Sequence, residues 1–75
     1  RSKHYEITFA NEEDAQQFAK RIPACKRISC KVTFLWKGDV NVLLKELCTF
    51  DVKDMNARYQ TLEEVFIQYY GEDRK

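Results

Sequence analysis

Proline occurs once and glycine twice in this 75-residue chain. Together with an apolar content of 44%, that scarcity excludes collagen-like, low-complexity and disordered classes. No apolar run approaches the roughly 20 residues that a membrane helix needs. The basic start Arg1–Lys3 leads into a strand pattern and not into a signal-peptide core. Gly38 and Gly71 stand alone, so no glycine-rich loop is available to cradle a phosphate. The single histidine, His4, has no partner in sequence for general-base work. Cys25, Cys30 and Cys48 are an odd and sparse set, which argues against a disulfide scaffold and for a reducing compartment. With His4 distant, they also fall short of a zinc site, and apolar burial is the expected fate of most of them. Lys31 beside Cys30 and Lys26-Arg27 beside Cys25 supply positive charge, but a thiol nucleophile also needs a base. Neither catalytic residues nor metal ligands nor a bound cofactor are therefore expected in this chain.

The length suits one domain, residues 1–75, with a small core that buries roughly 60% of the unfolded chain's surface. The opening at Arg1, with no Met, leads us to expect a piece cut from a longer polypeptide. Thirteen basic and 12 acidic residues give a net charge of +1, an ordinary solubilising surface. Residues 1–37 carry eight Lys/Arg against four Asp/Glu, and residues 38–75 carry five against eight.

Hydrophobic periodicity orders the chain. Tyr5, Ile7 and Phe9 alternate with Glu6 and Thr8, the pattern of a half-buried strand. Asn11 is placed to cap a helix whose first turn holds Glu12, Glu13 and Asp14, where orphan N–H groups favour anions. Ala15, Phe18, Ala19 and Ile22 form its apolar stripe, and Pro23 closes it. Ile28, Cys30, Val32, Phe34 and Trp36 share one parity. A small sheet favours folding this stretch into a hairpin near Ser29–Lys31, although no Asn-Gly or Asp-Gly marks the turn. Asp39 then caps a second helix with Val40, Leu43, Leu44 and Leu47 on its stripe, and Phe50–Val52 with Asp54–Tyr59 suggests a short, interrupted edge strand. Thr61 and Glu64 spell a capping box. Leu62, Val65, Phe66 and Tyr69 follow as a stripe expected to anchor the last helix to the sheet, and Gly71 sits at the usual stop. The order β-α-β-β-α-β-α predicts an α+β domain of ferredoxin-like, split-βαβ form with an added C-terminal helix.

Phe34 and Trp36 among basic residues raise the possibility of base stacking, but their alternation with Thr33 and Leu35 fits a helix-covered face better. Nucleic acid is therefore not an expected partner, and the amphipathic stripes are the size needed to cover a sheet, not to insert into a membrane. Ile67 and Tyr70, left over by the anchoring stripe, are the expected contact pair on the outer side of the last helix.

The run Thr61-Leu62-Glu63-Glu64-Val65-Phe66-Ile67-Gln68-Tyr69-Tyr70-Gly71 resembles the motif that closes many bacterial ABC-transporter ATP-binding proteins of the multidrug and antibiotic exporter type. Phe50–Met55, Val40–Leu47 and the Tyr5–Phe9 and Ala15–Ile22 segments are similar to the preceding elements of that family's accessory domain. The compact Lys26–Lys31 turn and Gln60, where many members have Pro, depart from its pattern. The resemblance implies a non-catalytic interaction or regulatory domain that supports subunit association or coupling. Its partners would be its own upstream ATPase domain and a second ATPase subunit or the membrane permease. ATP and Mg would bind only in that upstream domain, and the complex would sit at the cytoplasmic face of the cell membrane. A small-molecule-sensing ferredoxin-like domain is the alternative, ahead of an RNA-binding module.

Overall fold

A computed structural model describes residues 2–71. Its elements are β1 (Lys3–Phe9), α1 (Glu12–Ala19), β2 (Lys26–Ile28), β3 (Lys31–Trp36), α2 (Val40–Leu47), β4 (Val52–Tyr59) and α3 (Leu62–Gly71). The four strands form one sheet in the order β2-β3-β1-β4, and every neighbouring pair is antiparallel. Each strand–helix–strand unit is thus split by a strand of the other, which is the ferredoxin-like arrangement, with α3 added after it.

Local chemistry accounts for the boundaries. The Asn11 side chain accepts the Asp14 N–H at 2.8 Å, and the Asp39 side chain accepts that of Asn41 at 2.9 Å, so both helices start on satisfied donors. Asp14 does a second job, since its carboxylate accepts the Asp51 N–H at 3.0 Å and ties α1 to the entrance of β4. Residues 26–36 are a hairpin and not one long strand. Ile28 faces Lys31, and Ser29, with φ of 55°, supplies the left-handed residue that reverses the chain. The last strand is longer and more continuous than the sequence pattern suggests. The eight residues from Val52 to Tyr59 pair along β1, with a register shift opposite Thr8 and Phe9 that leaves Lys53 as the extra residue of a bulge.

One face of the sheet carries the core. Tyr5, Ile7 and Phe9 of β1 and Val32 and Phe34 of β3 pack with Ala15, Phe18 and Ile22 from the α1 segment and with Leu43 and Leu47 of α2. Phe18 is its centre, lying 5.2 Å from Phe9, 5.6 Å from Phe34 and 5.9 Å from Phe50 between ring centroids. Phe34 is only 3% exposed and stacks on Tyr5, and the Trp36 indole donates to the Asp39 carbonyl at 3.2 Å. Both rings therefore belong to the helix-covered side, Phe34 within the core and Trp36 at its margin. The cysteines are less buried than expected. Cys25 packs at the core margin with its thiol on the Ala19 carbonyl, Cys30 is half-buried in the hairpin turn, and Cys48 is exposed because it occupies the C-cap of α2.

Candidate interaction surface

The second face of the sheet is polar. Strand alternation and pairing put Lys31, Thr33 and Leu35 of β3, His4, Glu6 and Thr8 of β1, and Asp54, Asn56 and Arg58 of β4 on that side. Lys31 and Glu6 form an ion pair at 2.8 Å, which holds the Glu6 carboxyl below its usual range and raises the Lys31 ammonium. Leu35, His4 and Arg58 form one cross-strand row, and α3 comes back over it.

The start of α3 is built as its sequence promises. Thr61 Oγ1 accepts the Glu64 N–H at 3.1 Å, while Glu64 Oε1 accepts the Thr61 N–H at 2.9 Å. The same carboxylate receives both terminal nitrogens of Arg58, Nη1 at 2.7 Å and Nη2 at 2.8 Å. These donors, Arg58 first and the Thr61 N–H second, pull the Glu64 carboxyl down to about 2. Three residues before the helix ends, a second polar link completes the attachment: Gln60 Nε2 donates to Gln68 Oε1 at 3.0 Å.

These contacts fix which way the helix faces, and the expectation that an apolar stripe anchors it is overturned. Glu64, Ile67 and Gln68 look toward the sheet across a cleft of about 400 Å³ whose other walls include His4, Lys26 and Leu35. Leu62, Val65, Phe66 and Tyr69 turn away from it, and no residue of α3 is buried. Leu62 is 90% exposed, Phe66 61% and Tyr69 68%. The physical reason lies in the available partners. The apolar face of the sheet is already filled by α1 and α2, and the face that α3 meets offers charges and amides, which match the polar side of the helix.

Ile67 and Tyr70, the expected contact pair, are both exposed but do different things. Ile67 lines the cleft, whereas Tyr70 packs on Phe66 with ring centroids 4.5 Å apart and meets Tyr69 edge-on at 5.0 Å. The outward surface is therefore a cluster of Leu62, Val65, Phe66, Tyr69 and Tyr70. Sequence reading missed Arg58 and Gln60 as the residues that orient this cluster. The available signal was strand parity, which puts Arg58 on the polar face just before the turn into a helix whose third residue is Glu64.

Among the described residues no group of His, Cys, Asp and Glu is arranged to hold a metal ion, and no helix is long and apolar enough to cross a membrane. His4 stands at the cleft wall. Comparisons with protein-family models, curated proteins and solved structures find no match.

Proposed function

We propose that this chain is a non-catalytic accessory domain of an ABC-type exporter's ATP-binding protein, and that it binds the ATPase portion of that protein through the outward cluster of α3. One observation carries the interaction half of this reading. A ten-residue helix is held to its own sheet by Arg58–Glu64 and Gln60–Gln68 while Leu62, Val65, Phe66, Tyr69 and Tyr70 face outward. An exposed surface rich in aromatic side chains, whose rings already pack on one another, is the composition of a protein-contact hot spot. A lipid surface fits it less well, because interfacial helices carry Lys and Arg on the polar flank and α3 carries Glu63, Glu64 and Gln68. The transporter parentage is supported by the resemblance of Thr61–Gly71 to the closing motif of that family. In this reading nucleotide chemistry belongs to the upstream domain, and the role of the accessory domain is subunit association or coupling at the cytoplasmic face of the membrane.

The cleft between α3 and the sheet is where a small regulator would sit. Its open walls hold no buried charged group, which ranks the sensing alternative second.

The test uses the full-length protein. Replacing Phe66 and Tyr69 together by Ser should leave the domain folded and weaken subunit association, or shift ATP turnover, by about tenfold. The Ile67→Ser/Tyr70→Ser pair should have a smaller effect in the same direction, since only Tyr70 belongs to the cluster. Unchanged affinity and turnover in both variants, with an intact far-UV spectrum, would sink the proposal.

A further inference from the structure

We infer that the free edge of β4 is a second interaction surface, and that its partner is the β4 edge of another copy of this chain. β4 pairs with β1 alone, so its other edge is open among the described residues. It is eight residues long and contains no proline, with its one bulge confined to the Lys53 end. An edge of that kind is a template for strand addition unless something limits it.

Two features indicate what fits. On the helix side, apolar surface runs up to the edge and stops there. Met55 lies opposite the fully buried Ile7 yet is 42% exposed itself, and Leu44 of α2 beside it is also exposed. A second sheet-and-helix layer continuing past β4 would cover both.

On the polar side, the charges choose a register. A two-fold axis perpendicular to the sheet keeps the helices of both copies on one side, and directly opposed residues must then point to the same face. That condition allows only registers centred on a residue. With Asn56 at the centre, Asp54 faces Arg58 of the second copy, Arg58 faces Asp54 of the second copy, and Met55 faces Ala57 on the apolar side. Centring on Met55 or Ala57 opposes no unlike charges. Arg58 keeps Glu64 as its bidentate partner, and the guanidinium retains N–H groups to share with a second carboxylate. The same residues that discourage pairing with an arbitrary strand thus favour a copy of this one.

The experiment uses the 75-residue chain. Sedimentation should show a dimer at concentrations on the order of 100 µM, the range of a small interface. Asp54→Arg, which puts like charges in both opposed pairs, should weaken it about tenfold with an unchanged circular dichroism spectrum. In a background with Cys25, Cys30 and Cys48 replaced by Ala, Asn56→Cys should form a disulfide-linked dimer on mild oxidation. Lys53→Cys should not, because the two thiols would lie about 20 Å apart along the strands. A monomeric wild type, or equal crosslinking from positions 53 and 56, overturns the inference. So does a dimer that survives Asp54→Arg but is lost in Phe66→Ser/Tyr69→Ser, an outcome that would assign self-association to α3 and leave the function proposed above standing.

Discussion

Helices α1 and α3 begin in the same way and end in opposite environments. Each opens on a polar side chain that accepts a backbone N–H three residues ahead, each places acidic residues in its first turn, and each carries a stripe of apolar residues at helical spacing. In α1 the stripe is the core: Ala15 and Phe18 are completely buried. In α3 the more apolar stripe covers nothing, and the helix is held by its polar side. A stripe therefore records that a surface is meant to be covered. What covers it depends on whether an apolar face remains free once the other elements have docked, and here none does.

The contrast predicts different costs for similar truncations. Phe18→Ala removes a ring that touches Phe9, Phe34 and Phe50, and should cost about 3–5 kcal/mol of global stability, enough to threaten a domain this small. Phe66→Ala should change global stability by less than about 0.5 kcal/mol, because the ring is mostly exposed and packs on Tyr70, outside the core. Urea denaturation of the two variants measures both. Equal losses would mean that α3 packs on the core in solution and would erase the difference between the helices.

Thr61→Ala sharpens the comparison at the level of the cap. Losing the Thr61 hydroxyl should cost the start of α3 roughly 0.5–2 kcal/mol. Since α3 buries no side chain, that loss should appear as faster hydrogen exchange at the amides of Val65 to Tyr69, with little shift in the urea midpoint. An identical cost in the midpoint would show that α3 and the core melt as one unit.

Local rules made most of the fold legible. Parity assigned the buried face of β1 and β3, caps at Asn11, Asp39 and Thr61 set three helix starts, and the size of the sheet favoured the hairpin that Ser29 reverses. Three points lay outside such rules. The continuity of β4 is decided by pairing with β1, which no pattern in Val52–Tyr59 encodes. The exposure of Cys48 follows from where α2 ends. The orientation of α3 is decided by Arg58 and Gln60 acting across the turn, and helical spacing alone ranks an apolar stripe as the docking side by default. The candidate surface was thus visible as a set of residues, but its direction required the polar contacts of a neighbouring strand.

The subtlest difference between the helices is their response to acid. Attachment of α3 depends on one carboxylate, Glu64, which binds Arg58 and the Thr61 N–H, and its pKa is held at about 2 against an ordinary value of 4.5. A carboxyl whose pKa is lowered on folding stabilises the folded arrangement fully above its ordinary value, and that contribution is lost as pH falls toward the lowered one. Acidification from about pH 7 to pH 5 should therefore leave α3 in place, and its loosening should develop between about pH 4.5 and pH 2. The core should persist further into that range, because no ionisable carboxyl is buried within it. Because Glu64 is exposed, the effect should be modest and should shrink with added salt, which screens the Arg58 pairing. Amide exchange or backbone shifts for residues 62–70, followed through the titration, would report it. Glu64→Gln supplies the control: its α3 should already be looser at neutral pH and should change little on acidification. If the variant and the wild type share one acid profile, another carboxyl governs the transition. Glu6, whose pairing with Lys31 also lowers its pKa, would then be the group to replace next.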